Sequence, residues 1–159
     1  FLGKMETLMI ENLAIASDHA AFLEKSQLID YLSQNYPQIS VTDLGPDTEA
    51  RCNYPDFARA VSKSVSESEN TWGILLCGSG IGMSMAANRY KNIRAVLCRT
   101  TEEAALSRAH NNSNILCLGA RISSFETLCE ITQSWLSAEF EGGRHTDRVA
   151  LFNSLGETP

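Results

Sequence analysis

Short apolar segments alternate along this chain with longer segments in which apolar residues recur at helical spacing. Five of the short segments lack the in–out alternation of a half-exposed strand, which is typical of strands buried on both faces of a parallel sheet. These five predicted strands cover residues 13–16, 39–44, 72–76, 94–98 and 115–118.

Helical periodicity fills the intervals between the strands. Pro55 suits the first turn of one helix, and the acidic residues after Thr101 favour the positive end of another. Ser123 begins an S-x-x-E capping box before the last long apolar stripe. The predicted helices cover residues 20–35, 55–67, 83–90, a segment from 101, a segment from 125 and a short one within 144–155. Helical residues interpreted as core include Met83, Met85 and Trp135.

This alternation predicts a three-layer α/β fold with a doubly wound, five-stranded parallel sheet of Rossmann-like type and a C-terminal helical tail. Strand order 2-1-3-4-5 is the expected arrangement. One domain is expected over residues 9–159, with an N-terminal extension over residues 1–8, because no repeat or linker divides the chain. In such sheets the ligand lies beyond the carboxyl ends of the strands.

Charge, hydropathy and cysteine content argue against several kinds of partner and of site. The formal net charge of -6 over 159 residues argues against the broad basic face that nonspecific nucleic-acid binding needs. No apolar run approaches the roughly 20 residues that span a bilayer, so no membrane partner is expected. The five cysteines form no C-x-x-C pair, which argues against a zinc ribbon or a disulfide framework and favours a reducing, cytoplasmic location.

The basic residues are nine arginines and only four lysines. A guanidinium group matches the oxygens of a phosphate or a carboxylate with two parallel hydrogen bonds, which an ammonium group cannot do. The excess of arginine is therefore a first indication of an anionic ligand.

Polar residues follow the predicted strands at the edge where a ligand is expected. Asp18 and His19 follow the first strand, Cys77 ends the third, and Arg121 follows the fifth. Cys77 opens into Gly78-Ser79-Gly80-Ile81-Gly82, whose glycines permit positive φ angles and whose end meets a helix N-terminus. The loop lacks the G-x-G-x-x-G spacing and the GKS or GKT of a P-loop. A plain tight turn and an anion site are equally favoured by the loop alone.

Three further features have both a structural and a functional interpretation. Cys77 is either an ordinary strand-end residue or a base or nucleophile, since helix N-termini favour thiolates, and its place beside three glycines and a serine favours function. His19 and His110 are either exposed or functional. Arg144 and Arg148, spaced i,i+4, form either a solvated patch or a phosphate clamp.

The other cysteines are Cys98 and Cys117, interpreted as buried hydrophobes, and Cys52 and Cys129, which have no assigned role.

Together these segments resemble the family of type B ribose-5-phosphate isomerases, which also includes galactose-6-phosphate isomerase subunits. The resemblance runs from about Leu13 to Leu151, and the ordered set is specific although each segment alone is weak. The matching segments are Ser17-Asp18-His19-Ala20-Ala21, Cys77-Gly78-Ser79-Gly80-Ile81-Gly82-Met83-Ser84, Ala86-Ala87-Asn88-Arg89, Arg108-Ala109-His110-Asn111-Asn112, Leu116-Cys117-Leu118-Gly119-Ala120-Arg121 and Gly142-Gly143-Arg144-His145 with Arg148.

The resemblance implies interconversion of ribose 5-phosphate and ribulose 5-phosphate in the pentose phosphate pathway, through a cis-enediolate and without metal or other cofactor. It implies that Cys77 moves the proton between C1 and C2, that His110 helps to open the furanose ring, and that Asp18 aids ring opening or binds a hydroxyl. Family members are homodimers or homotetramers whose sites use residues of two chains. The other implied contacts are Ser79 and the N–H groups of Gly78, Ser79, Gly80, Ile81 and Gly82 for the enediolate, Asn111 for the sugar, and His19, Arg144 and Arg148, assisted by Arg121, for the phosphate.

The chain departs from the family's sequence pattern at two positions, and three alternative functions are open. Met83 stands where one family branch has a carboxylate base, which leaves the base role to Cys77, and Ala21 replaces a usual glycine. A six-carbon substrate such as allose or galactose 6-phosphate, a noncatalytic sugar-phosphate-binding protein, and a cysteine hydrolase are the alternatives. The hydrolase would need an oriented histidine close to Cys77. The presence of Cys77 and His110 in one chain favours a self-sufficient homomer.

Overall fold

The computed structural model describes residues 10–159, and the predicted extension over residues 1–8 lies outside them. Five parallel strands form one sheet with helices on both faces, which confirms the predicted α/β class. The strands are β1 (Asn12–Ser17), β2 (Ser40–Asp43), β3 (Thr71–Cys77), β4 (Ala95–Leu97) and β5 (Ile115–Gly119). The helices are α1 (Phe22–Asn35), α2 (Tyr54–Ser66), α3 (Ile81–Ala87), α4 (Thr101–Asn111), α5 (Phe125–Ser137) and α6 (Thr146–Ala150), with 3-10 turns at His19–Ala21, Gly143–His145 and Leu151–Ser154.

The strand order is β2-β1-β3-β5-β4, so the predicted order 2-1-3-4-5 is wrong at one edge. β5 is buried along its whole length and pairs with β3 on one side and β4 on the other. β4 has only three residues, all half-buried, which suits an edge strand. The longer and more apolar strand therefore takes the inner position.

Alternate residues of the strands enter two hydrophobic cores, one on each face of the sheet. On β3, Ile74 and Leu76 pack with α1 and α5, whereas Leu75 and Cys77 face α2 and α3. Among residues 10–159, no helix has the length and apolar character needed to cross a bilayer.

Cys98 and Cys117 are buried, as predicted. Burial raises the pKa of the Cys98 thiol to about 12 and raises that of Cys117 well above its usual value. Both thiols therefore stay neutral and act as small apolar side chains.

The two methionines of α3 lie in different environments. Met83 is fully buried, whereas Met85 is 68% exposed, so the interpretation of Met85 as core is wrong. Residues two positions apart project about 200° around a helix, and α3 has only one face against the sheet.

The helix caps also differ in part from the prediction. The capping box forms at α4, where the Thr100 hydroxyl accepts from Glu103 N and the Glu103 carboxylate accepts from Thr100 N. At α5 the cap is Ser124, whose hydroxyl accepts from Thr127 N at 3.2 Å, so the predicted cap at Ser123 is shifted by one residue. Both caps provide acceptors for backbone N–H groups that have no partner inside the helix.

Candidate active site

Parallel pairing brings three groups of predicted site residues to the carboxyl ends of the strands (the carboxyl edge of the sheet); the amino ends of the strands form the opposite, amino edge. Ser17 is in register with Leu76, and Cys77 is in register with Gly119. Asp18, Cys77 and Arg121 therefore emerge side by side, which confirms this part of the strand-end prediction.

The sulfur of Cys77 accepts a hydrogen bond from the N–H of Gly80 at 3.1 Å, and Cys77 itself is 5% exposed. Gly80 has a φ of +76°, and a Cβ there would lie 2.6 Å from Leu97 Cδ1. Only glycine fits this position, so the turn that directs an N–H at the sulfur depends on Gly80. Among residues 10–159 no histidine hydrogen-bonds to the Cys77 sulfur, so the pairing that a cysteine hydrolase needs is not formed in this chain.

The glycine loop packs closely against its neighbours. Ser79 Oγ accepts from Ile81 N at 3.2 Å, and a Cβ on Gly119 would lie only 2.6 Å from the carbonyl oxygen of Ser79. Arg121 N donates to Gly78 O at 2.9 Å, and the Arg121 side chain passes over Gly78. The loop is thus held between β5 and α3, with an exposed guanidinium group beside it.

Asp18 has a structural role in this chain. Its Oδ1 accepts from Ala20 N at 2.9 Å and caps the 3-10 turn that follows β1. Its N–H donates to Leu76 O at 3.1 Å, which ties it to the strand that carries Cys77. Oδ2 is the carboxylate oxygen left for a ligand.

His19 is held in one tautomer by the loop before α2. The N–H of Cys52 donates to His19 Nδ1 at 3.3 Å, and the Cys52 sulfur lies 3.9 Å from the same nitrogen. Because Nδ1 is the acceptor, Nε2 carries the hydrogen of the neutral ring. His19 can therefore donate to an anion through Nε2.

A second cluster gathers around His110. The His110 and His145 rings stack with centroids 4.5 Å apart and planes at 17°. The two Nε2 atoms lie 3.7 and 3.8 Å from the same carboxylate oxygen of Glu141. Arg144 Nε donates to His145 Nε2 at 3.5 Å. Burial lowers the pKa of His145, and the neighbouring His110 and Arg144 act in the same direction.

The two clusters lie at opposite edges of the sheet. α4 begins where β4 ends and finishes just before β5 begins, so His110 and Asn111 lie at the amino edge. The contact of Arg94 Nε with Asn112 O at 2.8 Å, just before β4, is at that same edge. The five residues of β5 separate the two edges by about 16 Å. Within residues 10–159 no hydrogen bond or ion pair joins Cys77 to His110.

The remaining predicted residues belong to the amino-edge side. Arg144 lies in the 3-10 turn before α6 and Arg148 lies within α6, and both are exposed. Asn111 is exposed and lines a pocket of about 350 Å³ together with Arg94 and Phe152. The predicted phosphate ligands are therefore divided, with His19 and Arg121 at one edge and Arg144 and Arg148 at the other.

The family model for Ribose/Galactose Isomerase matches residues 13–152, which include both clusters. The chain belongs to this family. The resemblance to type B ribose-5-phosphate isomerases is thereby confirmed.

Relatives in this isomerase family align with nearly the whole chain. Ribose-5-phosphate isomerase B of Escherichia coli K12 is 37% identical over 146 residues, which cover 92% of this chain and 97% of that protein. Probable ribose-5-phosphate isomerase B of Mycoplasma pneumoniae is 42% identical over 136 residues, which cover 85% and 88%.

Solved structures of family members agree with the fold. A ribose 5-phosphate isomerase of Thermotoga maritima is 45% identical with a TM-score of 0.86, and the match covers 91% of this chain and 99% of that one. The type B ribose 5-phosphate isomerase of Trypanosoma cruzi is 39% identical with a TM-score of 0.87 and coverage of 92% and 96%.

Three residues near the site escaped the sequence prediction. Cys52 positions His19 through its backbone N–H, and Glu141 lies between two histidines. The Tyr54 ring packs on the glycine loop, where a Cβ on Gly82 would lie 2.7 Å from it. Tyr54 precedes a predicted helix and Glu141 precedes Gly142, so both stand at element boundaries, where loops carry function.

Proposed function

We propose that this protein interconverts ribose 5-phosphate and ribulose 5-phosphate in the pentose phosphate pathway, with Cys77 as the base. The observation that carries the proposal is the Cys77 sulfur at the carboxyl edge of the sheet with the N–H of Gly80 directed at it. A hydrogen-bond donor at the sulfur stabilises the thiolate that must accept the substrate proton. The names of the relatives, which are ribose-5-phosphate isomerases, support ribose 5-phosphate as the substrate.

Proton transfer is the central step. The Cys77 thiolate removes the proton from C2 of the open-chain aldose, and the electrons form the C1–C2 double bond of a cis-enediolate. The hydroxyl proton passes from the C2 oxygen to the C1 oxygen, and the same thiol then returns its proton to C1, which gives the ketose. Because the N–H groups of Gly80 and Ile81 are engaged inside the loop, the donors for the enediolate oxygens are Ser79 and the N–H groups of Gly78, Ser79 and Gly82.

Ring opening and binding involve the other residues. His110 moves the proton between the ring oxygen and the anomeric hydroxyl, and the free Asp18 Oδ2 and Asn111 hold sugar hydroxyls. The phosphate binds to His19 Nε2–H and to the guanidinium groups, which are Arg121, Arg144 and Arg148. These steps need a base, an acid and hydrogen-bond donors, all of which side chains and backbone supply, so no metal ion or cofactor takes part.

A complete site requires two copies of the chain. Cys77 and His110 belong to opposite edges of one sheet, separated by about 16 Å, so one copy supplies Cys77, Asp18 and His19 and the other supplies His110, Asn111, Arg144 and Arg148. The smallest such assembly is a homodimer with two shared sites. The five free thiols suit a cytoplasmic enzyme.

Turnover of ribose 5-phosphate, allose 6-phosphate and galactose 6-phosphate in the presence of a chelator tests the reaction. We expect ribose 5-phosphate to be the best substrate, at a rate that the chelator leaves unchanged. A preference for either hexose phosphate would contradict the proposed substrate, and loss of the rate in chelator would contradict the metal-free mechanism.

Mixing two variants that are each impaired in the conversion of ribose 5-phosphate tests the shared site. Unfolding and refolding Cys77→Ala and His110→Gln together yields mixed dimers in which one site has both native residues. Random pairing makes half of the dimers mixed, each with one native site of two, so about one quarter of the native activity should return. If the mixture converts ribose 5-phosphate no faster than the two variants do separately, the two residues do not act across a dimer.

A further inference from the structure

Three side chains at the amino edge bring metal-binding atoms close together. One nitrogen from His110, one from His145 and one carboxylate oxygen from Glu141 all lie within 4.8 Å of one another. Among the described residues this is the group of three histidine, cysteine or acidic side chains that meets such a distance.

The backbone holds these side chains in place. Glu141 N donates to Ala109 O at 3.0 Å, which fixes the segment after α5 against the end of α4. His145 N donates to Gly142 O at 3.0 Å, and the His145 side chain is only 10% exposed. The imidazole groups of His110 and His145 are therefore carried by hydrogen-bonded backbone. The Glu141 side chain, in contrast, is 60% exposed and free to adjust.

We propose that His110, Glu141 and His145 form a binding site for a divalent transition-metal ion such as Zn²⁺. Two imidazole nitrogens and one carboxylate oxygen are a ligand set that zinc accepts, with water in the fourth position. Bond lengths of about 2.0 Å in a tetrahedral site place ligand atoms about 3.3 Å apart, so the present separations of 3.7 and 3.8 Å to Glu141 need only a small contraction. The stacked rings must rotate slightly, because both nitrogen lone pairs have to converge on one ion.

The surroundings restrict which ion can bind. Arg144 Nε must release His145 Nε2, and the charges of Arg144 and Arg148 oppose any cation. Only metals with a strong preference for imidazole overcome this repulsion, which favours Zn²⁺, Ni²⁺ and Co²⁺ over Mg²⁺ and Ca²⁺.

Occupation of the site has a consequence that rests on the proposed function. A bound ion holds the His110 nitrogen that ring opening needs, so Zn²⁺ should inhibit the isomerisation of ribose 5-phosphate and a chelator should reverse the inhibition. The metal is here an inhibitor, so the consequence is compatible with a metal-free mechanism.

Co²⁺ titration of the full chain, followed by visible absorption, tests the site directly. We expect the d–d bands of a nitrogen–oxygen site, without the near-ultraviolet thiolate-to-cobalt band that Cys77 or Cys52 would give. Glu141→Gln should weaken binding at least about tenfold, since loss of even an outer hydrogen-bond partner weakens metal sites by roughly 10- to 100-fold. Glu139→Gln removes the same charge from an exposed neighbour and should bind as the native chain does.

The outcomes separate the metal site from the proposed function. A thiolate band, equal binding by Glu141→Gln and Glu139→Gln, or equal uptake of Mg²⁺ would overturn the site. His145→Gln provides a second variant if Glu141→Gln does not fold, and it should also bind more weakly. A chain that binds Co²⁺ as expected but converts none of the sugar phosphates would overturn the proposed function and leave the metal site standing.

Discussion

The N–H of Gly80 points at the sulfur of Cys77 across 3.1 Å. The contact is possible because Gly80 adopts a left-handed conformation, with a φ of +76°, that a side chain would block against Leu97. A backbone N–H is thus already directed at the sulfur, which carries the negative charge of the proposed base before it takes the substrate proton.

Replacement of Cys77 should remove the base without removing the binding site. We expect Cys77→Ala to lower kcat by about 10³-fold, which is within the usual range for a positioned proton-transfer group. Cys129→Ala, which alters a half-buried thiol on α5, is the matched control and should keep native turnover. Steady-state rates and phosphate binding by calorimetry check both variants. Native turnover in Cys77→Ala would assign the base to another residue.

Replacement of His110 should expose the ring-opening step. Ribose 5-phosphate is mainly a furanose, whereas ribulose 5-phosphate has no free C5 hydroxyl and stays open. With enzyme in excess, conversion of ribose 5-phosphate by His110→Gln should level off at the rate of spontaneous ring opening. Conversion of ribulose 5-phosphate should still rise with enzyme concentration. A ribose 5-phosphate rate that rises without limit in stopped-flow experiments would contradict a ring-opening role for His110.

Replacement of Arg144 should act on binding more than on chemistry. Contacts to the phosphate are present in the ground state and in the transition state alike, so Arg144→Ala should raise KM more than it lowers kcat. Arg59→Ala on the exposed face of α2 removes the same charge outside the site and serves as the control. An unchanged KM in Arg144→Ala would exclude this residue from the phosphate site.

Lys25 forms a buried ion pair whose loss should destabilise the fold. Its side chain is 2% exposed, and Nζ donates to both Asp43 oxygens at 2.8 and 3.0 Å and to Pro46 O at 2.8 Å. Lys25→Met keeps the volume but leaves these acceptors unpaired, which should cost about 2 kcal/mol because Asp43 can partly rehydrate. Lys63→Met at an exposed site is the control for denaturant unfolding. Equal stabilities of the two variants would show that the pair contributes nothing.

His145 should make stability depend on pH. Burial, His110, Arg144 and Arg148 lower its pKa in the folded chain, and Glu141 only partly opposes them. The unfolded histidine binds a proton below a pH of about 6.5, which the folded one resists. Its contribution is therefore present above that pH and is lost as the pH falls. We expect the Tm difference between about pH 8 and pH 5.5 to be smaller in His145→Gln; an equal difference would contradict this assignment.

Local sequence signals predicted the elements but not the order of two strands. The apolar run before Cys77 defined β3, and the helical stripe at Trp135 defined α5, because burial of a face imposes its own period. β5 lies inside the sheet and β4 at its edge because β5 is longer and more deeply buried. Periodicity within one segment does not reveal how that segment compares with the other strands.

The carboxyl-edge half of the site was predictable, since parallel strands deliver Asp18, Cys77 and Arg121 to one place. The contact of Glu141 with His110 was not, because it depends on a loop that folds back onto α4 through the hydrogen bond from Glu141 N to Ala109 O. Such a contact joins positions about thirty residues apart and leaves no periodic trace in the sequence.

The placement of the two clusters on opposite edges of one sheet has a consequence for how the proposed enzyme responds to its own abundance. In the proposed dimer each site combines the two clusters from different chains, so a lone chain would have no complete site. Dilution below the dissociation constant of the dimer should abolish catalysis while each chain stays folded. Specific activity would then rise with the concentration of the protein in the cell. A molecule that binds to the surface between the chains would stop the reaction without entering the pocket where the sugar binds.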